Sequence, residues 1–136
     1  MKKKVKYAFM ICVLIILCLT GGCQKMQEEE QVKLDYTVTS EDRLPEELRI
    51  LVDGKKREPF KLTYQDGDYL YICQGYGSQP TGGYSIQVEN VSRTSNAVYF
   101  SATLIGPSAE DMKTEKETTP YIVIKTEYQD LTVVFD

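Results

Sequence analysis

From Pro59 onward the apolar residues of this chain recur at every second position, in short runs that end at glycine, proline, asparagine or aspartate. That period matches the pleat of a β-strand, whose side chains alternate between two faces, and not the 3.6-residue repeat of a helix. Phe60, Leu62 and Tyr64 alternate with Lys61 and Thr63, Asp66-Gly67 makes a tight reversal, and Tyr69 to Cys73 completes a hairpin. Tyr84, Ile86 and Val88 share one face. Beyond the polar turn Ser92 to Asn96, the residues Val98, Phe100, Ala102 and Leu104 share another, as antiparallel neighbours do. A third pair, Tyr121 to Lys125 and Leu131 to Phe135, ends the chain, and the first of these is apolar enough for a central strand. Ten tyrosines with no tryptophan agree with a β-rich body.

Ahead of Pro59 the pattern differs. Leu34, Tyr36 and Val38 alternate with Asp35 and Thr37 in one short strand. A helix then follows, with Ser40 or Asp42 as its cap and Pro45 in its first turn. Glu46 and Glu47 lie at its positive end, Lys55, Lys56 and Arg57 lie near its negative end, and Gly54 is placed to stop it early. Leu44, Leu48, Leu51 and Val52 form an apolar stripe that needs a sheet to cover it. The expected fold is therefore α+β: mainly antiparallel β, six or seven strands with one N-terminal helix, as a curled sheet or a small barrel-like sandwich. The polar stretch between Gly106 and Pro120 is too long for a hairpin turn and reads as a mobile loop.

The N-terminus reads as a targeting segment. Lys2, Lys3, Lys4 and Lys6 precede an uncharged run from Tyr7 to Leu19, which ends in Thr20-Gly21-Gly22-Cys23. Thirteen apolar residues rise only about 20 Å as a helix, short of the roughly 30 Å of bilayer hydrocarbon. The small residues before Cys23 resemble the bacterial lipoprotein box. That resemblance implies a signal peptide over residues 1–22, lipidation of the Cys23 thiol, and attachment outside the cytoplasm through acyl chains. Residues 23–33, with Glu28, Glu29 and Glu30, read as a polar lipidated tether, leaving 34–136 as one globular domain.

Processing changes the charge and the cysteine count. Four of the 16 basic residues lie in the signal, so 12 remain against 20 acidic ones and the mature chain is near −8. An acidic surface disfavours nucleic acid and a polybasic membrane patch, both of which need positive charge. Cys12 and Cys18 leave with the signal and Cys23 is lipidated, so Cys73 alone remains, with no disulfide partner. The chain contains no histidine, which removes imidazole-based triads, histidine-ligated zinc and histidine proton shuttles. Cys73 therefore reads as a small buried hydrophobe, and the expectation is a binding protein with no enzymatic activity, no cofactor and no metal.

Gln74 to Tyr84 is the most unusual local sequence, with four glycines and a proline joining two strands. A phosphate cradle would need a lysine followed by serine or threonine at a helix start, and neither is present. Pro80 stiffens the segment, Thr81 can bond the local backbone, and Gly82-Gly83 allow positive φ or close approach, so Pro80, Thr81, Gly82, Gly83 and Tyr84 are the candidate binding residues. The simpler reading is a strand connection in which glycine serves geometry alone. Pro80-Thr-Gly-Gly-Tyr84 and the later Thr119-Pro-Tyr121 resemble the C-terminal domain of the PrcB-like protease complex subunit family, over about Tyr69 to Phe135. The resemblance implies an exported accessory subunit beside a surface protease, and the expectation is contact with a surface or secreted protease through the loop from Gly75 to Tyr84. The loop alone also resembles the Asn-Pro-Thr-Thr-Gly-Tyr loop of chagasin-type inhibitors, which implies the alternative of a wedge entering a protease cleft.

Other groupings are weaker. Glu110-Asp111 and Glu46-Glu47 are carboxylate pairs without a spaced ligand series, and read as solvated surface. Tyr69 and Tyr71, opposite Leu70 and Ile72, form either an aromatic platform or a second packed face.

Overall fold

A computed structural model describes residues 3–7, 29–113 and 115–136. Of the expected signal segment only residues 3–7, which are helical, are described, and Cys23 lies outside the described residues. No helix among the described residues is long and apolar enough to cross a membrane.

The strands are β1 (Val32–Lys33), β2 (Tyr36–Val38), β3 (Pro59–Asp66), β4 (Tyr69–Tyr76), β5 (Ser85–Arg93), β6 (Ala97–Ile105), β7 (Tyr121–Glu127) and β8 (Thr132–Phe135), with helix α1 over Glu46–Lys55. They form two four-stranded sheets, ordered β1-β5-β6-β8 and β2-β7-β4-β3. Every pairing is antiparallel except β6 with β8. The expected α+β, mainly antiparallel architecture is what the chain adopts. An eighth strand arises because Val32–Lys33, expected as tether, pairs with β5 as β1; the chain then crosses between sheets at Leu34-Asp35, so the strand expected from Leu34 to Val38 is reduced to β2.

Two cores result. Leu70, Ile72, Ile122 and Ile124 meet Val91, Val98 and Phe100 between the sheets, and the Phe100 and Phe135 rings pack edge to face at 5.8 Å. On the outer face of the second sheet, Tyr71, Cys73 and Val123 lie beneath Leu44, Leu48 and Val52. Strands β4 and β7 are thus buried on both faces, which explains the near-continuous apolar run of Tyr121 to Ile124. Where β5 passes Glu89 the register shifts between Val88 and Asn90. The bulge lets both Val88 and Val91 reach the inner core, which strict alternation forbids.

Local chemistry explains most boundaries. Asp66 pairs with Tyr69, so Gly67 and Asp68 are the hairpin loop, and the positive φ of 56° at Gly67 alone is that of a II′ turn. Two expectations for the helix need correction. Pro45, not Ser40 or Asp42, occupies its N-cap, because those residues belong to a separate 3-10 turn over Glu41–Arg43. Gly54 lies inside the helix, which continues to Lys55, with Lys56 closing it through a 2.9 Å bond to the Val52 carbonyl. Leu51, assigned to the buried stripe, is 40% exposed, whereas Leu48 is fully covered.

The docked chain also begins before residue 34. Val32 and Lys33 pair with Arg93 and Ser92, and Glu29 accepts 2.7 Å bonds from Ser95 and Asn96. Leu48→Ala is expected to cost about 2–5 kcal/mol in urea unfolding, as buried leucines do, and Leu51→Ala less than about 1 kcal/mol.

Candidate functional site

The chain passes from one sheet to the other twice at the same end of the sandwich. Residues 77–84 run from the end of β4 to the start of β5, and residues 106–120 run from the end of β6 to the start of β7. Since β5 pairs with β6 and β4 with β7, topology alone sets these two crossovers side by side.

Hydrogen bonds then clasp them together. Gln79 and Thr118 exchange backbone bonds of 2.7 and 2.9 Å, forming an isolated bridge between the segments. The Thr118 hydroxyl donates to the Thr81 carbonyl at 2.7 Å, and the Ser78 hydroxyl donates to Glu117 at 3.0 Å. Tyr76 N–H donates to the Pro120 carbonyl at 3.1 Å, and its hydroxyl reaches across the sandwich to the Ala102 carbonyl at 3.0 Å. Ser78 N–H donates to the Arg57 carbonyl, which ties the loop to the residues just before β3 as well. Gly106–Pro120 is therefore not free along its length: its C-terminal part is paired to the other crossover.

The glycines divide by role. Gly75 sits opposite Phe60, and a Cβ there would overlap the Phe60 ring, so this position lets an aromatic ring lie over bare backbone. Gly77 has φ of 76° and a Cβ there would crowd Pro59, marking the break at which the chain leaves β4. Gly83 combines φ of 82° with a position against Asp111, where a Cβ would overlap that side chain. Gly82 has neither constraint; the closest atom to an added Cβ is a Thr118 methyl at 4.0 Å. The expectation of close approach or positive φ thus holds for Gly83 and not for its neighbour. Pro80 and Gly83 are exposed, while Thr81, Gly82 and Tyr84 are half-buried. The loop is held at Gln79, Thr81 and Gly83, and Pro80 and Gly83 are the two of the five that form its exposed ridge.

Asp111 does not pair with Glu110. It accepts from the Ser108 hydroxyl at 2.7 Å and packs on Gly83, so it has a local structural partner. Glu46 and Glu47 are exposed at the start of α1, and Glu47 accepts a 2.8 Å bond from Tyr64. No group of three or more acidic or cysteine side chains able to hold a metal gathers among the described residues. Tyr71 is buried under the helix while Tyr69 is 48% exposed, with Lys125 Nζ 3.9 Å from its ring centroid. The two tyrosines accordingly form no common platform: one belongs to the packed face and the other to its rim. Cys73 is fully buried and free, and burial pushes its thiol up to about 12, which keeps it protonated and poorly nucleophilic. Tyr121, which ends the second motif, packs into the core under the helix; burial, with Glu41 and Asp53 nearby, pushes its phenol up to about 12.

Sequence reasoning singled out both motifs but not their contact. Thr118, Ser78 and Glu117, which join them, carry no signature of their own; only the paired crossovers reveal their role. With this geometry in view, residues 70–127 match the family model described as PrcB C-terminal, as the resemblance of the two motifs implied. The matched span begins in β4, ends with β7, and contains both crossovers. No curated protein and no solved structure matched the chain.

Gly83→Ala is expected to lower stability by about 1–3 kcal/mol, from a left-handed φ combined with overlap at Asp111, and Gly82→Ala by less than about 0.5 kcal/mol. Thermal unfolding of the two variants, compared at equal concentration, reads the difference.

Proposed function

We propose that this protein is a lipid-anchored accessory module outside the cytoplasm, without enzymatic activity, that contacts a surface or secreted protease through the ridge Pro80 to Tyr84. The observation that carries this reading is the clasp itself. Two short motifs about thirty-five residues apart, both inside the PrcB C-terminal match, are brought together by the Gln79–Thr118 bridge beside them, which leaves Pro80 and Gly83 exposed on one loop. The match supports association with a protease complex, and a ridge held at its base loses little conformational entropy on binding.

Polarity supports the same reading. Glu29, the first described residue after the anchor segment, is bonded at the β5–β6 turn, which is the end of the sandwich opposite the crossovers. The nine residues of β5 separate the two ends by about 30 Å. A chain tethered by Cys23 would carry its ridge on the end remote from the membrane. Two acyl chains anchor such a body stably, and its acidic charge needs no help from anionic lipid.

Attachment and contact are separable. Mass spectrometry of membrane-extracted protein is expected to find a diacylglyceryl-modified Cys23 as the first residue, and Cys23→Ser to release uncleaved or unlipidated protein from the membrane. Affinity purification with Pro80→Glu and Tyr84→Ala, each checked for native unfolding temperature, is expected to lose a peptidase that the wild type retains. Retention of every wild-type partner by both variants would sink the assignment of the ridge. Turnover of a substrate by the purified protein would sink the non-enzymatic reading. Stoichiometric inhibition of a protease in trans, blocked by the same two substitutions, would favour the wedge-type inhibitor instead.

A further inference from the structure

The two sheets do not close. Strand β3 ends one sheet and β8 ends the other, and they face each other across an open seam, with Lys61 Nζ of β3 5.5 Å from the Phe135 ring centroid of β8. A groove of about 590 Å³ fills this seam. It is lined on one side by the unbroken run Lys61 to Gln65 and on the other by Tyr128 to Val133 with Phe135. Lining by consecutive residues means that the groove follows the strand's edge and not one of its faces. A second groove of about 370 Å³, lined by Pro59, Phe60, Lys61 and Gln74 to Tyr76, continues it toward the crossovers, and Lys61 belongs to both.

The hydrogen-bond alternation fixes what this edge offers. Tyr76 N–H donates to Pro120, and Tyr128 N–H donates to the Asp68 carbonyl, so even-numbered residues of β4 bond toward β7 and odd-numbered ones toward β3. In the β3–β4 register the residues bonding to β4 are then Phe60, Leu62, Tyr64 and Asp66. Lys61, Thr63 and Gln65 turn their backbone N–H and C=O groups outward into the seam. On the far wall, Asp136 N–H donates to the Phe100 carbonyl at 2.9 Å, which leaves Val133 and Phe135 with their backbone groups turned outward too. A concave edge with free backbone groups at spacings of two residues is complementary to another extended backbone.

Side chains narrow the choice. Lys61, Thr63 and Gln65 pair across from Gln74, Ile72 and Leu70, so they project toward the seam, while Phe60, Leu62 and Tyr64 pack under the helix. Lys61 is the single cation lining either groove, stands where they join, and has no salt bridge among the described residues, on a chain with more acidic than basic groups. From Pro59 to Gln65 the edge runs about 20 Å, room for six or seven extended residues. We propose that this seam is a second binding site, which takes an extended segment of a partner protein as an added β-strand on β3, with an acidic side chain near its middle opposite Lys61. The site is independent of the Pro80 to Tyr84 ridge.

The test pans the protein against a displayed library of random twelve-residue peptides and maps the selected peptides by amide hydrogen exchange. Selected sequences should be extended, carry an Asp or Glu near the centre, and slow exchange at Lys61, Thr63 and Gln65. Thr63→Pro removes one outward N–H without touching the β3–β4 ladder, so it should keep the native unfolding temperature yet bind about tenfold more weakly or worse. Lys61→Glu should exchange the acidic preference for a basic one. Should Thr63→Pro not fold, Thr63→Val, which keeps the N–H, and Lys61→Glu still decide through exchange and preference. Unchanged exchange at the three amides, undiminished binding by a folded Thr63→Pro, or selection of no peptide would overturn the proposal. So would protection of these amides only through self-association, which would make the occupant a second copy of the chain.

Discussion

The double burial of β4 and β7 is the constraint on which the rest of the molecule depends. Ile72 and Ile124 point into the sandwich while Cys73 and Val123 point beneath the helix, and all four are at most 1% exposed. Because both faces must be covered, the first sheet has to pack on one side and α1 on the other, and no disulfide is needed to hold the layers. The same demand explains Cys73: a small apolar residue fits between strand and helix, and burial raises its thiol pKa and favours the protonated form. Once β4 and β7 are neighbours in one sheet and β5 and β6 in the other, the crossovers joining them have to lie together, and the candidate site follows from the core.

Much of this was legible in the residues. Period-two alternation located the strands after Pro59, Asp66-Gly67 located the hairpin, and the stripe of Leu44, Leu48 and Val52 identified a helix that needed a sheet. What alternation cannot express is a change of sheet or of face. Leu34-Asp35, expected to begin a strand, instead crosses between the sheets, and Glu89 bulges so that Val88 and Val91, three apart, both face inward. Leu51 fitted the helical stripe by spacing but lies past the edge of the surface that the helix covers. At the site, glycine content marked the loop correctly, yet only three-dimensional contact distinguishes Gly83, which is constrained, from Gly82, which is not. The parallel pairing of β8 with β6, and the open seam it leaves beside β3, depend on long-range order that no local pattern encodes.

The molecule presents different chemistry at its parts. The first described residue before β1, Glu29, is bonded at the β5–β6 turn, the clasped crossovers occupy the opposite end, and the seam runs along one side between them. Under the proposed lipid anchoring, a body built this way would hold a partner at a fixed distance from the membrane. Lys61 on the β3 edge also discourages unspecific pairing of that edge with another strand.

The central claim is that the ridge, and not the helix or the sheet face, meets the partner. Photo-crosslinking in intact cells tests it most directly, with the reactive residue placed at Pro80 in one strain and at Ile50, 61% exposed on the outer surface of α1, in another. The account predicts a discrete adduct with an exported peptidase from position 80 and none from position 50. Equal adducts from both positions, or none from position 80 while the protein is fully membrane-bound, would contradict it.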